Sequence, residues 1–134
     1  MGVKNIFYKK KLIAQKFNFA KITETTFPTP PECEFQLGIG IVNDNKIFES
    51  HTHKTVKRTI KNTSEFIYVI AGKMSIEILV NNHKHLETLE IKKNEGFLQY
   101  FGGHKIKASS QTRYFEIKQG PYFGRDIDKC ILIK

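Results

Sequence analysis

Glu65-Phe66-Ile67-Tyr68-Val69-Ile70-Ala71-Gly72-Lys73-Met74-Ser75-Ile76-Glu77-Ile78-Leu79-Val80 is the stretch that decides the fold class of this chain. Its first seven residues are dominated by β-branched and aromatic side chains, which suit a pleated, half-buried surface. After Gly72, Met74, Ile76, Ile78 and Val80 alternate with Lys73, Ser75, Glu77 and Leu79, a period of two that belongs to a strand. Ala71-Gly72-Lys73 between the two runs reads as a tight hairpin turn.

The same grammar extends in both directions. Phe35, Leu37, Ile39 and Ile41 alternate with Glu34, Gln36, Gly38 and Gly40, which predicts one half-buried strand, and Asn43-Asp44-Asn45 then marks a turn. Lys46 to His53 is expected to be extended again, with Ile47, Glu49, His51 and His53 on one face. Downstream, short strands are predicted near Leu86–Ile91, Phe97–Phe101, His104–Ala108 and Thr112–Gln119, with a turn at Lys92–Glu95. Many short strands at this spacing indicate a sandwich or a barrel. The first 30 residues are less legible, but Pro28, Pro30 and Pro31 require an extended linker.

At 134 residues the chain fits a single domain that buries roughly two-thirds of its unfolded surface. Its 40% hydrophobic and 12% aromatic content is that of a globular protein. Cys33 and Cys130 are too few for a disulfide framework, so a reducing cytoplasm is the expected setting. No apolar stretch approaches the roughly 18 residues of a membrane span, and no signal-peptide or myristoylation pattern is present.

Lys and Arg number 22 against 13 Asp and Glu, a net charge of +9 that favours anionic ligands. Lys54, Lys57, Arg58 and Lys61 form a local basic cluster without an acid. Lys57 and Arg58 are therefore candidate contacts for a phosphorylated small molecule, Arg because its planar fork matches phosphate oxygens. Nucleic acid is not an expected partner, because no Arg-rich arm, aromatic RNA-binding signature or zinc-finger spacing occurs.

His51-Thr52-His53, Glu65 and His104 carry the chemistry. Residues i and i+2 of a strand point the same way, so one strand can aim two imidazoles at one point, while neighbouring strands bring a carboxylate and a third imidazole. Such a set leaves open positions on a divalent Fe, Mn, Ni, Co or Zn ion, which can polarise a carbonyl, activate water or bind dioxygen. His83 and His85 form a second His-x-His pair, but within a polar turn that offers no convergent partners. Gln99 and Tyr68 are candidate substrate-binding residues, with Glu49, Tyr100, Arg113, Tyr114, Glu116 and Lys118 as further groups that could line a cavity.

In this order of parts the chain resembles the cupin superfamily of small β-barrels. That family's first motif is a glycine, five residues, His-x-His, three or four residues, Glu, six residues and a glycine, matched here by His51, His53, Glu65 and Gly72. Its second motif ends in a histidine after a glycine-started strand, matched by Gly96 and His104. Eleven residues separate His53 from Glu65, no glycine lies five residues before His51, and Gly102-Gly103 replaces a Pro-x-Gly turn.

The resemblance implies a double-stranded β-helix, or jelly-roll, barrel over residues 33–119, preceded by extra N-terminal strands within 1–32 and followed by a C-terminal segment, 120–134. It further implies a homodimer and one divalent ion held by His51, His53, Glu65 and His104. The expected activity is that of an isomerase or epimerase acting on a sugar or nucleotide-linked sugar. Some relatives of that type use the His-x-His pair as acid and base, which would make His51 and His53, with Glu65, catalytic residues rather than ligands. A dioxygenase and a non-catalytic ligand-binding protein are the alternatives.

Overall fold

The computed structural model describes residues 1–81 and 83–132. Eight strands are present among the described residues: β1 (Val3–Tyr8), β2 (Lys11–Asn18), β3 (Glu65–Ala71), β4 (Lys73–Val80), β5 (Lys84–Lys92), β6 (Glu95–Gln99), β7 (Gly103–Ala108) and β8 (Arg113–Lys118). A 3-10 turn at Phe19–Lys21 and a four-residue helix, α1 (Arg125–Asp128), are the helical elements among the described residues. The strands form two antiparallel sheets, one in the order β1-β2-β6-β3-β8 and the other β5-β4-β7. The fold is all-β, and the two sheets do not close into a barrel. No described helix is long and apolar enough to cross a membrane.

Alternation along the strands builds the core. Ile67, Val69 and Phe97 from the larger sheet face Met74, Ile76, Ile78 and Ile91 from the smaller one, and all are essentially inaccessible. Each such side chain contributes roughly 1.5–3 kcal/mol on leaving water. The opposite face of the larger sheet carries Phe17, Phe66, Leu98 and Tyr100, and the segment containing Cys33, Phe35, Leu37 and Ile39 lies across them. The period of two read over Phe35–Ile41 is thus realised in its side chains, which pack on a sheet. Its backbone joins none of the eight strands and makes only an isolated bridge, Ile39 to Thr26.

Gly72 turns the chain, but not into a hairpin. β3 pairs with β6 and β8, whereas β4 pairs with β5 and β7, so the chain passes at Gly72 from one sheet to the other. Gly72 sits at φ +79, where an L side chain is strained. Two apolar runs separated by one residue are read equally well as a hairpin or as a corner between packed sheets. The predicted strands from Leu86 to Gln119 all occur, with small differences at their ends.

The N-terminal strands lie within residues 1–32 as expected, while one further expected strand is missing. β1 and β2 form a hairpin whose turn residues, Lys9 and Lys10, both have positive φ, without the Asn or Gly that normally marks such a turn. Lys46–His53, expected to be a strand, has no regular secondary structure, and residues 42–63 are all exposed. An extended segment needs a sheet edge to pair with, and this one lies against none.

Candidate functional site

One end of the sandwich gathers the polar side chains of the interior. Glu65 opens β3, on the same inward face as Ile67 and Val69; it is paired in register with Gln99 of β6 on one side and Lys118 of β8 on the other. His104 comes from the opposite sheet, next to Ile78 of β4. The two side chains meet across the gap, with His104 Nε2 3.9 Å from Glu65 Oε1. A cavity of about 870 Å³ opens beside them, lined also by Thr63, Leu79, His83, Gln99 and the C-terminal segment from Asp128 to Leu132.

Gln99 fixes the state of His104. Its Nε2 donates to the carbonyl oxygens of Phe101 and Gly103, each at 2.9 Å, so its Oε1 must face the other way, 2.6 Å from His104 Nδ1. An amide oxygen only accepts, so Nδ1 carries the proton and Nε2 presents a lone pair toward Glu65. Burial holds the imidazole below its usual titration range, partly opposed by Glu116, and so favours the neutral ring. Gly102 makes this grip possible: at φ +84 its backbone approaches Leu79 so closely that a Cβ would lie 2.5 Å from that carbonyl oxygen.

Glu65 is short of positive charge at close range. Burial, then the neighbouring Glu116 carboxyl, push it up to about 7, while Lys118 and Lys129 act in the opposite direction. A carboxyl of this kind, facing an imidazole lone pair, favours a cation between them. Two ligands about 2.0–2.2 Å from a tetrahedral ion stand about 3.3–3.6 Å apart, so the 3.9 Å pair must close by a few tenths of an ångström to hold one.

The sequence-derived residues divide into two groups. Glu65, Gln99 and His104 come together in the cavity. His51 and His53 stand on the exposed segment; their rings are 5.2 Å apart, on the same side of the chain as the i, i+2 spacing requires, and His51 Nδ1 donates to the Glu49 carbonyl at 2.8 Å. Lys57 and Arg58 are exposed on the same segment and do not line the cavity. Tyr68 is on the outer face of β3, where its hydroxyl donates to Asn94 Oδ1 at 2.7 Å and its ring stacks on Phe115. Among the described residues, no three His, Cys, Asp or Glu side chains converge as a metal-binding cluster.

The C-terminal lining of the cavity, Asp128 to Leu132, had no signal in the sequence. No protein-family model matches the chain, nor does any curated protein or solved structure.

Proposed function

We propose that the chain is a cytoplasmic, cupin-like jelly-roll enzyme that holds one divalent metal ion at Glu65 and His104, with His51 and His53 completing the set, and acts on a small polar molecule. The observation that carries this reading is the locked tautomer of His104, whose free Nε2 lies 3.9 Å from Glu65 in a cavity large enough for a sugar. Metal-ligating histidines characteristically donate their second ring nitrogen to a fixed acceptor, the part Gln99 plays.

The jelly-roll assignment draws support from the sheet edges. β8 ends one sheet and β7 the other, and they border the same side of the sandwich. One further strand on each edge would complete a pair of four-stranded layers around the cavity, flanked by β1 and β2. Residues 46–53, exposed and paired with no strand of this chain, are long enough for one such strand.

The ion, when bound, supplies Lewis-acid polarisation of a substrate carbonyl or hydroxyl. Around it Glu65 and His104 fix position, and the apolar walls at Leu79 and Ile106 limit water. An isomerase or epimerase also needs a base that takes a proton from a substrate carbon and returns it; Glu116, whose carboxyl interacts with Glu65 from the adjacent β8, supports that role. The preferred substrate is a sugar or nucleotide-linked sugar, its hydroxyls entering beside Glu65 and His104, its phosphate drawn by the +9 charge.

Metal analysis of untagged protein tests the reading, alongside the His104→Ala variant. About one ion per chain, lost in the variant, is expected. Wild-type protein that takes up no Mn, Fe, Co, Ni or Zn on titration would refute it.

A further inference from the structure

Two surfaces of this chain are bare, and they have complementary character. One is the β8 edge, where every residue from Arg113 to Ile117 is exposed, including Tyr114, Phe115 and Ile117. An unpaired strand edge with apolar side chains is a template for a further strand. β7, the end strand of the other sheet, also has no strand on its outer side, although the C-terminal segment reaches it at Gly103 through Leu132, so a strand added there displaces that segment. The other surface is the segment 42–60, exposed throughout, which leaves Val42, Ile47, Phe48, Val56 and Ile60 in water.

Both ends of this segment are tied to one place on the chain. Ile39 exchanges backbone hydrogen bonds with Thr26 at 2.8 and 2.9 Å, and the backbone N–H groups of Lys61 and Asn62 donate to the Glu34 carboxylate at 2.8 and 2.9 Å. Glu34 and Ile39 belong to the same short stretch on the outer face of the larger sheet. Ile41 is also held to Thr25 Oγ1 through its N–H and its carbonyl, so residues 42–60 leave and return as an arm; doubled back on itself, an arm of this length reaches on the order of 30 Å. It carries apolar side chains that its own sheets do not cover, while those sheets keep two edges that the arm does not pair.

We infer that two copies of this chain exchange the arm of residues 42–60, each adding strands to the β7 and β8 edges of the other and carrying His51 and His53 to the other copy's Glu65 and His104. Reciprocal exchange satisfies both bare surfaces with one kind of chain and closes with two-fold symmetry. The arm strand bearing the histidines must run along β7, because His104 is on β7 and a ligand shell spans only a few ångströms. Each metal site is then built from two chains, which accounts for a chain that alone assembles only half of its ligands. This inference rests on the metal-site reading for its chemistry but not for the exchange itself.

The test uses two full-length variants, His51→Ala/His53→Ala and Glu65→Gln/His104→Ala, separately tagged and co-expressed so that mixed dimers can be isolated. Cobalt(II) absorbance is the readout. Each pure variant should show no tight site, whereas the mixed dimer should recover about half of the wild-type sites, because one intact arm meets one intact pocket. Wild-type binding with no recovery in the mixed dimer overturns the exchange and leaves the metal reading standing.

Wild-type protein that binds no cobalt defeats the metal reading instead, and the exchange is then decided by mass in solution. Wild type should have the mass of two chains, and Ile47→Asp/Phe48→Asp, at positions 94% and 66% exposed, that of one. A one-chain wild type, or a variant that stays paired, overturns the exchange.

Discussion

Gln99 dictates the tautomer of His104. With both amide hydrogens of Gln99 held by the Phe101 and Gly103 carbonyls, its oxygen accepts from His104 Nδ1 at 2.6 Å and leaves Nε2 as the only free lone pair of the ring. Replacing Gln99 with Leu keeps much of the volume but removes this constraint. Metal affinity should fall 10- to 100-fold, the usual range for loss of a ligand's hydrogen-bond partner. Two orphaned carbonyls should also lower stability by roughly 1–3 kcal/mol. Cobalt(II) titration together with thermal unfolding checks both, and unchanged affinity would mean that Gln99 only braces the β6–β7 connection.

The raised pKa of Glu65 makes the metal-free protein sensitive to pH in a defined direction. Its folded-state value, about 7, exceeds the ordinary carboxylate value of 4.5, so between these limits the folded state binds more protons than the unfolded state. The stability linked to this proton is complete below pH 4.5 and is lost as pH rises through 7. Glu65→Gln, which cannot ionise, should lack that loss. The Tm of the variant relative to wild type should therefore climb between pH 5 and pH 8 in the presence of a chelator. A constant difference across this range would assign the shift to Glu116 or to neither group.

Of the strands from Leu86 to Gln119, β8 was legible from β-branched and aromatic residues between turn signals, β6 as a short apolar run buried on both faces, and β5 because it buries one face and shows it as alternation. Gln99 was legible by sharing the face of Phe97 and Phe101. What pairing a strand makes is not written in its period: Phe35, Leu37 and Ile39 have the alternation of a strand but use it to cover a sheet. The Lys9-Lys10 turn hid where β1 ends and β2 begins, since lysine carries no preference for positive φ. Glu65 and His104 were found through their spacing to Gly72 and Gly96. Tyr68, one residue out of phase with Ile67 and Val69, faces the other way, as strand parity alone decides.

Tyr100 anchors the covering segment to the larger sheet. It is 1% exposed, its hydroxyl donates to Gln15 Oε1 at 2.6 Å and lies 3.0 Å from Thr29 Oγ1, and burial pushes its pKa up to about 12. Tyr100→Phe leaves the buried Gln15 oxygen without this donor and should cost about 1–3 kcal/mol. Urea unfolding measures the loss, and a midpoint identical to wild type would show that water replaces the hydroxyl.

Gly72 is the residue on which the passage between sheets depends. A Cβ there would stand 2.5 Å from Thr112 Oγ1 and 2.8 Å from Thr112 Cα, and the backbone is at φ +79. Thr112 cannot simply withdraw, because its hydroxyl also donates to the Lys73 carbonyl at 3.1 Å. The left-handed conformation alone costs an L residue about 1–2 kcal/mol, and the clash adds to it. Gly72→Ala should lower the Tm by roughly 5 °C or more. An unaltered Tm would mean that the β7–β8 turn yields without cost.

The basic cluster on the arm leads to a prediction about ligands. Lys54, Lys57, Arg58 and Lys61 are all exposed, no acid interrupts them, and they follow directly on His51 and His53. If the arm brings those histidines to the cavity, the cluster arrives at its mouth, where an anion bound to the metal side would meet Arg58 or Lys57. Nucleotide-linked sugars and sugar phosphates should then raise the Tm of the metal-loaded protein, as any ligand of the folded state does. Lys57→Ala/Arg58→Ala should weaken the best of them by about tenfold, or 1.4 kcal/mol, while leaving metal content intact. Stabilisation by neutral sugars alone, or no loss in the double variant, would place the substrate's recognition elsewhere in the cavity and return the cluster to the status of a solvated loop.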